Sequence, residues 1–314
     1  MKSKMNQILV SSPENPIEKA ESLVSVLILT FNSNIHIRRC LDSVFIQNYL
    51  PYEVIVIDGG SSDGTLKILE EYSQKNLNFQ YFVYPNTSIG RARDIGMQHV
   101  RGNFILFLDS DCVLPFPNWI SEMIAGFNSD KIAGVFTFGK YSLQDPSILR
   151  YSILSNPYRR TIQDQFIGYH NYIPIGTGHI IIRRQLIDDV GGFKDLIAAE
   201  DIEITNNIIH LGYLFRYMPS LEVFHYHVTS LTQLINKNRR NISGGMNSQI
   251  WKKTYLSPGN LDIFLSLTII YPLLYSLYRT LTDKDWAWLW HPFVTIFKIL
   301  SAISILSKKY IHSG

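Results

Sequence analysis

What most constrains this chain is a set of short, densely apolar runs separated by helical patterns. Residues 23–30 (LVSVLILT) are almost continuously apolar and rich in β-branched side chains, as a strand covered on both faces must be. Ile35, Ile37, Cys40, Leu41, Val44 and Phe45 then recur at helical spacing, and residues 54–57 give a second buried strand. A second helix starts behind Ser62 and Asp63, both good capping residues, and carries Leu66, Ile68, Leu69 and Tyr72. Further strands are expected near 79–84 and 103–108, with a helix at about 88–99 between them. Strand and helix alternating at these intervals build βαβ units, so the fold class is α/β, with a mostly parallel central sheet flanked by helices.

Such a sheet gathers ligands at the carboxyl ends of its strands, where loops converge at a reversal of strand order. The polar residues to weigh are therefore Thr30, Phe31 and Asn32 after the first strand, Asp58 to Asp63 after the second, and Asp109, Ser110 and Asp111 after the fourth. Composition narrows the class. Hydrophobic residues at 46% against 18% charged supply ample side chain for a core, which excludes a disordered chain. Two cysteines, Cys40 and Cys112, cannot frame a small disulfide scaffold, and no CxxC pair offers a zinc knuckle, so a reducing compartment is expected. A net charge of +3 is too slight to mark a nucleic-acid binder, and no nucleic-acid partner is expected. The charge is unevenly spread: 237–260 hold five bases and no acid, 307–314 hold two bases, 261–306 hold three of each, and the remaining body sums to −4.

Asp109-Ser110-Asp111 places two carboxylates on one turn at a strand end. Hard divalent cations such as Mn2+ or Mg2+ favour oxygen ligands, and a diphosphate needs such a cation to neutralise it. Alone, the triplet more often marks an ordinary solvated turn. Glu200-Asp201, with Glu203 close behind, opens a second acidic turn, and acids in a first helical turn also complement the helix dipole. His225 and His227, in FHYHVTS, fall on one face of an extended chain. Residues 140–175 are aromatic-rich and read as a substrate-side loop or a packing element.

The segments VSVLILTFNS, EVIVIDGGSSDGT, GRARDIG with RGNFILFLDSD, and GGFKDLIAAEDIEI occur in this order, and together they resemble the family 2 glycosyltransferases. The resemblance covers roughly residues 23–230 and implies the GT-A fold, a nucleotide-diphosphate-sugar donor, a DxD metal site and an inverting displacement. It gives Asp58 recognition of the nucleobase, with Gly59 standing where the family often has a second acid, and it leaves Asp63 to cap the next helix. Thr30, Asn32, Arg93, Asp109 and Ser110 join Asp58 around the donor. Asp111 and Asp109 face the metal, with a third ligand from His225 or, alternatively, His227. The ED motif implies a base that takes the acceptor hydroxyl's proton, assigned to Asp201 with Glu200 as the fallback. Gly176, Gly178, Gly191 and Gly192 suit close backbone approach around the acceptor.

Beyond the catalytic unit expected at 23–236, preceded by an extension at 1–22 without an apolar leader, a basic segment at 237–260 leads to an apolar appendage at 261–314. Residues 261–278 carry one charge, Asp262, and 286–306 carry one, Lys298. At about 1.5 Å per residue both runs reach roughly the hydrocarbon thickness of a bilayer. With Trp286, Trp288 and Trp290 as interfacial aromatics, they are expected to form a membrane hairpin, or else amphipathic helices in the interface or against the catalytic domain. Basic flanks place the catalytic domain on the cytoplasmic side of the cell membrane, with membrane lipid as a partner. The expected reaction is transfer of a single sugar to a lipid-linked or saccharide acceptor. One rival is a polyprenyl-phosphate sugar synthase of the dolichol-phosphate-mannose-synthase kind. That subfamily usually has a PxYNE-like sequence where this chain has Thr30-Phe31-Asn32-Ser33. QLINKNRRNI likewise does not match the QxxRW of processive synthases. A remoter rival is an α/β-hydrolase using Ser62, since Gly60 to Gly64 fits GxSxG.

Overall fold

The computed structural model describes residues 22–156, 158–161, 166–245, 248 and 270–312. The expected βαβ alternation is present. Strands β1 (Val24–Thr30), β2 (Tyr52–Asp58), β3 (Phe79–Val83) and β4 (Phe104–Asp109) alternate with helices α1 (Ile37–Phe45), α2 (Thr65–Lys75) and α3 (Ile89–His99). β1 pairs in parallel with both β2 and β4, and β2 with β3, so the sheet begins as an open parallel array. β1 and β2 are covered on both faces, which is why their sequences show no alternation.

The second half departs from the expected parallel sheet. After the two-residue β5 (Cys112–Val113) and α4 (Trp119–Ala125) come β6 (Ile132–Phe136) and the short β7 (Gly139–Lys140). Next are α5 (Ser147–Leu154), α6 (Tyr158–Thr161), β8 (Phe166–Ile167), β9 (His179–Arg183), α7 (Arg184–Asp189), α8 (Glu200–His210), β10 (Leu214–Tyr217), β11 (Val223–His225) and α9 (Leu231–Gly245). The strand order is β3-β2-β1-β4-β9-β6-β10-β8, with β9 antiparallel to both neighbours. The sheet is therefore mixed. Antiparallel insertion of β9 carries Gly176-Thr177-Gly178 back to the carboxyl end of β4, which no parallel crossover would do at that position.

A small second sheet, β5-β11-β7, sits at the same end and sets His225 opposite Cys112 in the register. One apolar layer lies on each face of the main sheet. The first includes Trp119, Leu41 and Phe127, and the second Phe107, Phe136 and Phe215. Trp119 is fully buried and its indole N–H donates to the Leu221 carbonyl (2.6 Å), so its polar edge is satisfied inside the core.

The C-terminal segment differs from the expected hairpin. α10 runs Ile270–Asp283, a short 3-10 turn takes Trp286–Trp290, and α11 runs His291–His312. Among the described residues no helix is long and apolar enough to cross a membrane. The first expected span begins at 261–269, which lie outside the described residues. The tryptophans are not a common interfacial belt. Trp288 is 2% exposed and donates to Asp283, and Trp290 donates to the Ser147 hydroxyl, while Trp286 is exposed. Asp285 takes a salt bridge from Arg150 (3.0 Å) and accepts the Ala287 N–H, which fixes the turn. A third apolar cluster, including Tyr151, Leu154, Leu234, Trp288 and Val294, holds this segment against α5 and α9. α9 itself runs through the boundary expected between 236 and 237, so part of the basic segment belongs to the packed unit.

Candidate active site

One cavity of about 1040 Å3 opens at the carboxyl ends of β1 and β4, large enough for a nucleotide sugar. Its floor carries Asp109, Ser110 and Asp111. β4 ends at Asp109, whose N–H donates to the Gly178 carbonyl (2.9 Å). A β-carbon at Gly178 would lie 2.6 Å from Asp109 Oδ2, so only glycine lets the backbone approach this carboxylate. Asp111 Oδ1 is 3.2 Å from His225 Nε2, and Asp109 Oδ2 is 3.6 Å from the same nitrogen. Burial alone would raise the Asp111 carboxyl, but the charge and hydrogen bond of His225, helped by Lys237 and His36, hold it below the ordinary carboxylate range.

The two histidines left open by the sequence separate clearly. His225 faces the acids, whereas His227 Nε2 lies 2.7 Å from the Ser152 hydroxyl, and burial keeps His227 neutral by pulling its pKa well down. His179 stands edge-on to His225 with ring centres 5.5 Å apart, and burial lowers its pKa to about 3. Asp111, Cys112 and His225 bring ligand atoms within 4.8 Å of one another. The Cys112 thiol donates to the Gly178 carbonyl, and burial pushes its pKa up, so it stays protonated. That leaves carboxylate oxygen and imidazole nitrogen, a donor set that fits Mn2+ or Mg2+.

Across the cavity, α8 opens with Glu200 and Asp201 directly after Ala199, which is left-handed at φ 74°. Arg93, buried on α3, forms a salt bridge with Glu200. Burial pushes the Asp201 carboxyl above its ordinary value, and Arg93 with the N–H groups of Ile202 and Thr177 pulls it partly back. Glu203 points elsewhere, to Lys194 (2.8 Å) and the Ser248 hydroxyl (2.5 Å). Arg91 is exposed and pairs with Asp94. Among the described residues, five buried polar atoms on the cavity's residues lack a hydrogen-bond partner: Thr30 Oγ1, Thr177 Oγ1, His179 Nδ1, Glu200 Oε2 and His227 Nδ1. Buried polar groups are seldom left so, and their convergence on one cavity marks it as a place for a polar ligand.

Three expected donor residues bond to neighbouring loops, and of these Ser110 also lines the cavity. Asp58 is wholly buried. Its Oδ1 accepts the N–H groups of Gly60 (2.8 Å) and Ser61 (2.7 Å), and its Oδ2 accepts the Ser61 hydroxyl (2.6 Å). These bonds turn the loop, with Gly60 at φ 91°, and set Asp58 directly before Gly59, which lines the cavity. Asn32, itself at φ 49°, joins that loop to the end of β1 by accepting the Ser62 N–H (2.9 Å). Ser110 meets Ser33 hydroxyl to hydroxyl at 3.0 Å. Asp63 accepts the N–H and hydroxyl of Thr65, the first residue of α2. These contacts account for the GSSDG pattern, and among the described residues Ser62 has no histidine partner. The hydrolase reading therefore lacks its triad.

Sequence reasoning assigned no site role to Lys237 and Arg240, which line this cavity from α9. A basic run was visible, but nothing local revealed that α9 lines the same cavity as the DxD turn.

A sequence model of glycosyl transferase family 2 matches residues 25–191, more than half of the chain. Glycosyltransferase AglE of Haloferax volcanii is 29% identical over 197 residues, 60% of this chain and 62% of that protein. Probable glycosyltransferase YdaM of Bacillus subtilis is 30% identical over 210 residues, 63% of this chain and 49% of that protein. The chain thus spans less than two thirds of either relative. Among solved structures, mannosyltransferase PcManGT from Pyrobaculum calidifontis, in complex with GDP-Man and Mn2+, superposes with TM-score 0.66 at 16% identity, covering 98% of this chain and 92% of that one. S. aureus TarS 1-349 in complex with UDP gives TM-score 0.54 at 18% identity over 93% of this chain and 92% of that one. At these identities the likeness is one of fold.

Proposed function

The chain belongs to glycosyl transferase family 2 and is a glycosyltransferase, and from that premise we propose that it moves a single sugar from a UDP- or GDP-activated donor to a hydroxyl of a lipid-linked or cell-surface glycan, with inversion. The observation that carries this reading is the pairing, in one cavity, of Asp111 and His225 on one side with Glu200 and Asp201 on the other. Neighbours solved with GDP-Man and Mn2+ and with UDP support a nucleotide donor and a divalent cation.

Asp111 and His225, with Asp109 beside them, would hold the cation, either Mn2+ or Mg2+, whose chemistry when bound would be to offset negative charge on the donor's diphosphate. Thr30 and Thr177 offer hydroxyls to the donor. Asp201 removes the proton from the acceptor hydroxyl as its oxygen attacks the anomeric carbon opposite the leaving diphosphate. Burial raises the carboxyl of Asp201, which suits it to take up a proton, and the salt bridge from Arg93 locks Glu200 in place.

For the acceptor side, support comes from α10 and α11, which turn Leu274, Leu277, Leu281, Phe293 and Leu300 outward. An apolar face of this kind is suited to lying in a membrane interface on the cytoplasmic side, beside a lipid-linked acceptor. A panel of UDP- and GDP-sugars tests the donor reading: Mn2+-dependent binding and slow hydrolysis of at least one is expected, and folded protein that responds to none would refute it.

A further inference from the structure

Lys237 and Arg240 stand one helical turn apart on α9, and both line the cavity. Among the described residues neither forms a salt bridge or hydrogen bond. The Lys237 ammonium is half-buried, and the acids whose field it feels are Asp111 and Asp109. Those acids already converge on His225 and are the ones a divalent cation would claim. Arg240 in turn lies within the field of Arg93, so the pair stretches from the DxD turn toward the base side of the cavity.

Charge balance follows from this placement. Two carboxylates and one divalent cation cancel and Arg93 offsets Glu200, so Lys237 and Arg240 stand against Asp201 and leave the site with a positive excess. Cations in a partly desolvated cavity need a counter-charge, and a diphosphate bridging two ester groups carries two negative ones. The helix is also held firmly. Leu234 is buried in the cluster of Tyr151, Trp288 and Val294, and the Arg239 guanidinium lies 5.4 Å from the Phe297 ring centre on α11. α11 therefore braces α9 against the cavity.

We propose that Lys237 and Arg240 form a second, protein-built cationic clamp on the donor's diphosphate, facing the metal acids from α9 and stabilising the leaving nucleoside diphosphate. The inference rests on the nucleotide-sugar reading and adds to it a role for residues outside the 25–191 family match. A diphosphate is favoured over a phosphate on the acceptor because Lys237 feels the acids of the metal turn most strongly after its own burial.

The test is calorimetric titration of UDP, GDP and the parent nucleosides into wild type, Lys237→Met, Lys237→Arg and Arg240→Met, with and without Mn2+, alongside each variant's melting temperature. Lys237→Met is expected to weaken the bound nucleoside diphosphate by about tenfold or more, as loss of a charge-assisted contact does, while nucleoside binding and melting stay at wild type and Lys237→Arg keeps most of the affinity. The loss should persist without Mn2+. Lys237→Met that binds the diphosphate as wild type does, or that weakens nucleoside and diphosphate equally, would overturn the clamp alone. Wild type that binds neither diphosphate would overturn the nucleotide-sugar reading, and the clamp with it.

Discussion

The two acid pairs of the cavity hold carboxylates of the same chemistry in opposite electrical settings. Asp111 sits against His225 with Lys237 and His36 nearby, and these positive or proton-donating groups outweigh its burial. Asp201 sits at the start of α8, where burial dominates and Arg93 offsets only part of it because its salt bridge is made to Glu200. One carboxyl is therefore held ionised over the whole physiological range, and the other is kept basic. The contrast separates two tasks that a glycosyl transfer needs: a permanently charged ligand for a cation and a group able to take up a proton.

The largest expected effect comes from the metal side. Asp111→Ala should lower donor turnover by about 10^3-fold, in the range seen when a main electrostatic stabiliser is lost, and should abolish its response to Mn2+. Steady-state assays across a Mn2+ titration read this directly. Asp201→Asn should cost about 10^2- to 10^3-fold in transfer, as loss of a general base does, while donor affinity by calorimetry stays near wild type. A smaller loss, about 10^2-fold, is expected for Gly178→Ala, whose new methyl would collide with Asp109 Oδ2 and shift it from the cation site; Mn2+ affinity should fall with activity. The subtlest change is in pH dependence. Activity needs Asp201 deprotonated, so it falls as pH drops through a pKa above the ordinary aspartate value. Removing the Arg93 charge takes away the largest of the causes that lower this pKa, so Arg93→Gln should move the acid limb to higher pH, whereas Arg93→Lys should leave it nearly in place.

Much of the first half of the fold was legible because local signals there agree with the tertiary result. Buried strands such as β1 and β2 are continuously apolar, and Ser88, whose hydroxyl accepts the Arg91 N–H, caps α3 where the pattern begins. The DxD and ED acids were visible as motifs, but their meeting in one cavity depends on β9 running antiparallel beside β4, which no local pattern encodes. His225 and His227 looked equivalent because alternation puts them on one side. What separates them is Asp111 beside one and Ser152 beside the other, brought there by the small second sheet and by α5.

Asp58 shows a role its position after β2 does not disclose: the loop at 59–61 folds back and donates to its oxygens. In the C-terminal segment, hydropathy alone suggested a spanning pair. Trp288, buried against Tyr151 and Tyr275, shows apolar residues serving a packed interface, while the outward leucines of α10 keep the amphipathic alternative that the same stretch allowed.

The division of labour between the two acid pairs is tested most directly by measuring donor binding and sugar transfer side by side in Asp111→Ala and Asp201→Asn, with Mn2+ present. The account predicts that Asp111→Ala loses Mn2+-dependent donor binding, while Asp201→Asn binds donor like wild type and fails only in transfer. Asp201→Asn that transfers at the wild-type rate, or Asp111→Ala that binds donor with unchanged Mn2+ dependence, would contradict it.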